Sequence, residues 1–289
     1  FDLLAAFTSW SPIVPRKPKE LAAFLAPYCR LLREEVLDAL NDERSPLHAL
    51  KDEISRLLFP DATADQFADA YAQTVIFALL LARMEGADVL DLGQAYGTLL
   101  THHLLLSRSL QFLTDPQALS EIASSVSLAQ RVIHEIAPEN LRTTEGGEDP
   151  WLFFYEHFLA GYDPALRKKW GVYYTPVEVV RCQVRLVDEI LTNHLERPWG
   201  FAENHVLTLD PAVGTGTYLL GVIDHTLARV EREEGPGAVK GAARMLGNSL
   251  HGFEWMVGPY AVAQLRFTRA VVCHGAALPA NGNGIYLTN

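Results

Sequence analysis

The stretch LTLDPAVGTGTYLL, from Leu207 to Leu220, constrains the fold of this chain more than any other segment. An apolar run ends in an acidic residue, two glycines follow, and a second apolar run begins directly after them. This order is typical of a buried strand that turns tightly into a helix, because glycine adopts backbone conformations that other residues avoid. Such a turn also exposes free N–H groups at the start of the helix, where a ligand can approach the backbone.

The residues around this stretch alternate between predicted helices and predicted strands. Apolar residues at helical spacing predict helices, and short apolar runs predict buried strands. The helices cover 177–195, 217–233 and 259–272, and the strands cover 205–210 and 249–255. Strands that alternate with helices imply a parallel sheet covered on both faces. GPGAVKGAAR and LPANGNG are expected to be loops, and the apolar GIYLT before Asn289 is interpreted as the start of another strand.

The first third to half of the chain is predicted to be helical, with no alternating strand pattern. Helical spacing runs from Lys19 to about Leu40, where Pro27 is expected to bend or split the helix. Thr63 and Gln66 have the spacing of a capping box, and Gly86 is expected to end the helix that they begin. The predicted apolar face of this helix consists of Phe67, Tyr71, Val75, Leu79 and Ala82. Three aspartates that precede prolines are predicted N-caps: Asp115, Asp149 and Asp163.

The net charge of −11 belongs to the first part of the chain. Residues 1–164 hold 24 acidic and 12 basic residues, whereas residues 165–289 hold 11 acidic and 12 basic residues. Nucleic-acid affinity depends largely on phosphate contacts by basic residues, so strong acidity would argue against such a partner. The nearly neutral second part leaves a nucleic-acid partner open. The basic run Arg167-Lys168-Lys169 is interpreted as solvated surface rather than as a phosphate contact.

Composition favours a cytoplasmic protein. No apolar run is long enough to cross a bilayer, and no signal peptide is evident. The three cysteines form no CxxC pair, which fits reduced thiols: Cys29, Cys182 and Cys273.

No metal site is predicted, because three histidines lack partners at ligand spacing: His102, His103 and His274. The aromatic run from Trp151 to Phe158 is interpreted as core. The chain starts with Phe1 and ends in a strand-like run, so it is expected to be a piece of a longer polypeptide.

The glycine loop does not match either common phosphate-binding pattern. A P-loop needs Gly-Lys-Ser/Thr at its end, but Thr217 and Tyr218 follow Gly216. A dinucleotide fingerprint needs a third glycine where Leu219 stands. The carboxylate of Asp210, predicted to lie at the strand end, would also repel a pyrophosphate.

Asp210 instead suits a ligand with an ammonium group. Glu254 lies at the predicted end of the next strand, where an acid on a parallel sheet can accept both hydroxyls of a ribose. Ligands of such sheets bind at the carboxyl ends of the strands, so the two acids and the glycines should converge. A ligand with an amino-acid part and a ribosyl part, such as S-adenosylmethionine, fits this arrangement. The alternative is that Gly214 and Gly216 merely form a tight turn, that Asp210 caps the helix, and that Glu254 is a solvated strand end.

Three segments together resemble motifs of the adenine-N6 DNA methyltransferases. They are GVYYTP (171–176), DPAVGTGTYL (210–219) and GFEWMVGPYAVAQLRF (252–267), and they stand in the order of motifs ten, one and two. The resemblance is to the subgroup in fused restriction-modification enzymes, of type ISP and type IIG. LFPDATADQFADAYAQTVIFALLLAR (58–83) is similar to the helical segment that precedes the methylase in that subgroup.

This resemblance implies an α/β chain with two domains. Residues 1–164 would form an acidic, all-helical domain of a coupler or spacer type. Residues 165–289 would form the incomplete N-terminal part of a Rossmann-like class I methyltransferase sheet that binds S-adenosylmethionine.

The resemblance also implies which residues hold this cofactor. Its methionine end would be covered by Tyr174, Thr175 and Pro176. Its amino-acid part would be lined by Asp210, Ala212, Gly214 and Gly216. Glu254 would bind the ribose hydroxyls, Trp255 would lie beside the adenine, and Asn289 would contact the same base.

The Asn/Asp-Pro-Pro-aromatic motif that holds the flipped adenine in this family is absent from the 289 residues. No catalytic residue is therefore assigned, and the chain alone is expected to bind S-adenosylmethionine weakly without methylating DNA. The expected partner of the full-length protein is double-stranded DNA, with nuclease and target-recognition domains in the same polypeptide. Two alternatives stay open: a methyltransferase that acts on RNA, protein or a small molecule, and a non-catalytic binding or assembly module.

Overall fold

The computed structural model describes residues 15, 17–57, 63–138, 151, 154–165, 175–279 and 282–288. Helices make up its first part, and these residues contain no strand before residue 208. The helices are α1 Pro18–Leu40, α2 Pro46–Leu57, α3 Ala64–Met84, α4 Leu92–His102, α5 Leu104–Leu113, α6 Pro116–His134 and α7 Phe154–Tyr162. The predicted helical character of this part is confirmed for the described residues.

The central helix of this part is α3. Thr63 and Gln66 form the predicted capping box at its start, in which each side chain binds the backbone N–H of the other residue. Gly86, at φ 97°, ends it as predicted. The prediction of one apolar face was too narrow, because every residue from Tyr71 to Ala82 is buried. By length and composition α3 could span a membrane, but 83% of its most apolar stretch is buried inside the protein, as in a core helix.

Aromatic side chains fill the space between α3, α1 and α7. Phe77 of α3 packs edge-on against Phe158 of α7, with ring centroids 4.9 Å apart. Phe158 in turn stacks on Tyr162 at 5.2 Å. Trp151 is also buried, so the interpretation of this run as core is confirmed for those of its aromatic residues that the structure describes. The helix α1 continues through Pro27 and is not split there.

The second part alternates helices with three strands. Its elements are α8 Val177–Asn193, a 3-10 turn Gly200–Ala202, β1 Thr208–Asp210, α9 Thr217–Glu234, α10 Pro236–Ser249, β2 Leu250–Glu254, α11 Val257–Val272 and β3 Gly284–Leu287. All three strands are parallel, in the order β1-β2-β3. In this register Asp210 lies beside Gly252, and Glu254 lies beside Leu287. The described residues are therefore mostly helical around a small parallel sheet, and the predicted strand after residue 283 is confirmed.

The expectation of a loop over GPGAVKGAAR is wrong, because these residues begin the helix α10. Pro236 occupies the first helical turn, where its missing N–H is no loss. Ala243 and Leu246 are buried three residues apart, and α10 packs along α9. Tertiary packing thus overrides the weak helix propensity of Gly237 and Gly241.

The expectation that helices cover both faces of the sheet is also wrong for the described residues. The helices α9 and α11 pack on the face that buries Leu250 and Ile285. The opposite face is exposed to solvent: Leu207 is 72% exposed and Leu209 is 51% exposed. Phe253 and Tyr286 are exposed on this face as well.

The helix α11 links the sheet to the helical part. It is buried from Gly258 to Thr268 and packs against α3, α7 and α9. On the side of the helical part, His103 lies between Glu85, at 2.7 Å, and Gln264 of α11, at 3.3 Å. Gln264 Nε2 donates to the Ile285 carbonyl oxygen of β3. The interpretation of His103 as an ordinary core histidine agrees with these contacts, whereas the domain boundary after residue 164 stays a prediction.

Candidate functional site

The candidate site lies where β1 and β2 end side by side. The loop from Pro211 to Gly216 connects β1 to α9 and contains both glycines. Gly214 has φ 55° and Gly216 has φ 88°, so both occupy the left-handed region that favours glycine. Among the described residues, a Cβ at Gly214 would meet only the Ala212 oxygen, at 4.0 Å, so none of their side chains crowds this glycine. The loop is therefore a tight turn, as predicted, with room for a ligand beside its backbone.

Glu254 is held at the end of β2 by backbone N–H groups. It is 6% exposed. Gly214 donates to its Oε2 at 3.0 Å, and Trp255 and Met256 donate to its Oε1 at 2.9 Å each. Burial raises the pKa of the Glu254 carboxyl above its ordinary value, and the charge of Asp210 adds to this, although the three N–H groups lower it in part.

Asp210 ends β1 and accepts a hydrogen bond from the Ala212 N–H at 3.1 Å. Burial raises the pKa of its carboxyl, and the Ala212 N–H lowers it in part. Asp210 does not cap α9, because Gly216 is the N-cap and no side-chain cap is present there. Two elements of the tight-turn alternative are thus wrong: Asp210 is not a helix cap, and Glu254 is not a solvated strand end.

The remaining predicted residues occupy different places. Ala212 is exposed in the loop, and Trp255 is 43% exposed after β2. Thr175 and Pro176 lie at the start of α8. This helix packs on α9 so closely that a Cβ at Gly221 would lie 2.6 Å from Val180 Cγ1. The structure thus brings Asp210, Gly214 and Glu254 together, whereas the approach of Thr175 and Pro176 to a ligand stays a prediction.

Several predictions fall on residues outside the described part of the chain. They concern Tyr174 and Asn289 of the site, the basic run Arg167-Lys168-Lys169, and the cap Asp149. Within the described ranges, no group of three or more His, Cys, Asp or Glu side chains could hold a metal ion.

Sequence reasoning missed Arg266 of α11. This arginine is buried between Leu265 and Phe267 on the helix, and its guanidinium contacts Thr215 of the glycine loop and Thr217, the first residue of α9. The signal was present in the sequence, because a charged residue within an apolar helical run is rarely buried without a polar partner.

Comparison with known proteins identifies the segment that carries this site. Residues 152–268 match the N-6 DNA Methylase family. The resemblance to the adenine-N6 DNA methyltransferases is thereby confirmed for this segment. The matched segment, residues 152–268, contains β1, the glycine loop and β2, and it extends into α11. No curated protein matches the chain.

Solved structures share the fold of the matched segment and of the helices before it. A DrdV–DNA complex is 21% identical, with a TM-score of 0.59, over 99% of this chain and 27% of the other. The ATP-dependent type ISP restriction-modification enzyme LlaBIII, bound to DNA, is 18% identical, with a TM-score of 0.62, over 94% and 18%. A nuclease-deletion mutant of the type ISP enzyme LlaGI, with a DNA substrate mimic, is 16% identical, with a TM-score of 0.59, over 99% and 22%. The chain therefore spans only about a quarter or less of the proteins that it resembles.

Proposed function

We propose that this chain forms the methyl-donor site of an S-adenosylmethionine-dependent DNA adenine-N6 methyltransferase in a restriction-modification or phage-defence enzyme. The observation that carries the proposal is the convergence of Asp210, Gly214 and Glu254 at the carboxyl ends of β1 and β2. Ligands of open parallel sheets bind at this edge. The match of residues 152–268 to the N-6 DNA Methylase family supports the same function.

The electrostatics of the site favour a cationic ligand. Asp210 and Glu254 both have a raised pKa through burial, and the charge of Asp210 raises that of Glu254 further. A ligand that carries positive charge would relieve this repulsion, whereas a pyrophosphate would increase it. S-adenosylmethionine carries a sulfonium and an ammonium group, so its charge suits the two carboxylates.

The donor set also fits this cofactor. No side chain of the described residues crowds Gly214, so a ligand could approach the loop backbone closely. Glu254 Oε2 accepts one N–H, from Gly214, which leaves a lone pair for a ribose hydroxyl. Asp210 would attract the ammonium group, and Ala212 and Gly216 would line the same amino-acid part of the cofactor. Trp255 would lie along the adenine. Tyr174, Thr175 and Pro176 would cover the methionine end.

These residues would bind and orient rather than react. When bound, S-adenosylmethionine supplies an electrophilic methyl group. Asp210 and Glu254 would hold the two ends of the cofactor and so fix the direction in which this group points, since such positioning lowers the barrier of a bimolecular transfer. The residues that accept the N6 hydrogens and stack on the flipped adenine would lie outside this chain.

The proposed partner is double-stranded DNA, and the solved structures that share the fold are DNA complexes. The proposal extends to the domains: an acidic helical domain over 1–164, and a Rossmann-like class I methyltransferase domain that begins at 165 and is completed by other residues of a cytoplasmic polypeptide. Nuclease and target-recognition domains would belong to the same polypeptide.

Calorimetry and a methylation assay on the full-length protein test this function. We expect heat on titration with S-adenosylmethionine, loss of that heat in Asp210→Ala, and transfer of labelled methyl groups to adenine N6 in duplex DNA. The exposed Glu231→Ala on α9 serves as the matched control. Binding of the cofactor with transfer only to RNA or protein would assign a different acceptor. No heat, and no effect of Asp210→Ala, would instead identify a non-catalytic binding or assembly module.

A further inference from the structure

A buried arginine fastens the second half of the glycine loop. Arg266 of α11 is 4% exposed. Its Nη1 donates to the Thr215 carbonyl oxygen and lies 3.1 Å from Thr215 Oγ1 and 3.3 Å from Thr217 Oγ1. One guanidinium nitrogen therefore contacts both residues that flank Gly216.

The loop is held differently in its two halves. In the first half, the Val213 N–H donates to the Phe253 carbonyl oxygen at 2.9 Å, and the Gly214 N–H donates to Glu254. In the second half, Gly216 packs against Ala263 of α11, and a Cβ added at Gly216 would lie 3.6 Å from this alanine. Arg266 follows Ala263 by three residues on the same helix and supplies side-chain hydrogen bonds to this half.

Two glycines within three residues raise the conformational-entropy cost of holding this loop in a single conformation. Glycine loses more conformational freedom on folding than any other residue. A loop that is ordered only when its ligand arrives loses affinity by the free energy of that ordering, whereas a loop that is fixed beforehand does not. The contacts of Arg266 restrict the loop without crowding Gly214.

We propose that Arg266 is a positioning residue of the methyl-donor site, which holds Thr215 and Thr217 so that the loop has its binding shape before the cofactor arrives. This inference rests on the proposed function of the site. It assigns to Arg266 an effect on cofactor affinity that acts through the loop, without contact to the cofactor or to DNA.

The test uses the full-length protein and titration calorimetry with S-adenosylmethionine. In Arg266→Met we expect the Kd for the cofactor to rise by about tenfold or more, which corresponds to about 1.4 kcal/mol. Arg266→Lys keeps the charge and a single donor nitrogen but loses the planar fork, so an intermediate loss is expected. Arg244→Met removes an exposed arginine of α10 and should leave the Kd unchanged.

Steady-state methylation separates positioning from a general loss of folded protein. We expect Arg266→Met to raise the KM for S-adenosylmethionine while the KM for DNA stays unchanged. A purely structural role would lower the fraction of active enzyme, and therefore the apparent kcat, with both KM values unchanged. That second pattern would overturn the inference.

A second variant covers the case in which Arg266→Met does not fold. Thr215→Val with Thr217→Val removes both hydroxyl contacts of the arginine and retains its hydrogen bond to the Thr215 carbonyl oxygen. We expect a raised Kd for the cofactor here too, by less than in Arg266→Met because one contact remains, and an unchanged Kd would overturn the inference. If wild-type protein fails to bind S-adenosylmethionine, the proposed function fails; if wild type binds and the variants bind equally well, only the role of Arg266 is wrong.

Discussion

The Gly214 N–H donates a 3.0 Å hydrogen bond to Glu254 Oε2, which joins the glycine loop after β1 to the end of β2. The two residues are forty positions apart in the sequence. Their contact means that the acid is both a candidate ligand for a ribose and the acceptor that fixes the loop. Substitutions at either residue should therefore affect the loop and the ligand together.

Replacement of Glu254 by glutamine should reduce both stability and cofactor affinity. The glutamine oxygen can accept from Trp255 and Met256, but its NH2 group would then face the Gly214 N–H, so two donors oppose each other. We expect a loss of about 1–3 kcal/mol in the free energy of unfolding, since a buried N–H loses its acceptor. Urea unfolding and calorimetry measure the two effects.

The control for this variant is Glu231→Gln, which changes an exposed acid of α9. Its stability and its affinity for S-adenosylmethionine should equal those of wild type. Normal stability in Glu254→Gln would mean that the hydrogen bond from the Gly214 N–H to this side chain contributes nothing to the fold.

Replacement of Gly214 by alanine should reduce stability moderately and leave the packing intact. A Cβ here would have only the Ala212 oxygen nearby within the described part of the chain, at 4.0 Å, so it clashes with none of these residues. The φ of 55° is the source of strain, and we expect a cost of about 1–2 kcal/mol for a residue other than glycine. Thermal unfolding measures this cost. A raised Kd for S-adenosylmethionine in the folded variant would show that the ligand approaches this backbone.

Much of the fold could be predicted from the sequence, because local signals decide it. The capping box at Thr63, the glycine loop and the alternation of strands with helices are encoded by neighbouring residues. The helix over 236–249 could not be predicted in this way, because its glycines have low helix propensity and its contacts with α9 come from the tertiary fold.

In the candidate site, too, some features follow from local sequence signals and others only from tertiary contacts. The sequence places Asp210 and Glu254 at strand ends, and a parallel sheet brings such ends together. The three N–H donors to Glu254 and the contact of Arg266 with Thr215 depend on how β2 and α11 pack against the loop. Spacing along the chain carries no information about these contacts.

The interface between α11 and the helical part should not accommodate an additional methyl group at Gly258. A Cβ at Gly258 would lie 2.1 Å from Tyr155 Cε2 and 2.7 Å from Gln73 Oε1, and both neighbours are buried. We expect Gly258→Ala to reduce the free energy of unfolding by about 1–3 kcal/mol, because overpacking displaces well-packed groups. Gly241→Ala in the interior of α10, where no described atom lies within 4 Å of the added Cβ, should instead stabilise by about 0.5–1 kcal/mol. Equal effects in the two variants would contradict the close contact at Gly258.

Titration of the two site carboxylates should make stability fall as pH rises. Burial raises the pKa of Asp210 and of Glu254 above their ordinary values, so the folded protein binds more protons than the unfolded chain in the window between the ordinary and the raised values. Their contribution to stability is present below that window and is lost as pH increases through it. Urea unfolding across this range should show a smaller slope in Asp210→Asn than in wild type or in Glu231→Gln.

A cationic ligand should reverse this dependence. A positive charge beside the two carboxylates lowers their pKa, so binding of S-adenosylmethionine should release protons and become tighter as pH rises through the same window. Calorimetry in buffers of different ionisation enthalpy measures the protons released, and Asp210→Asn should release fewer. Proton uptake on binding, or an affinity that falls with pH, would mean that the cofactor's charged groups do not lie against Asp210 and Glu254.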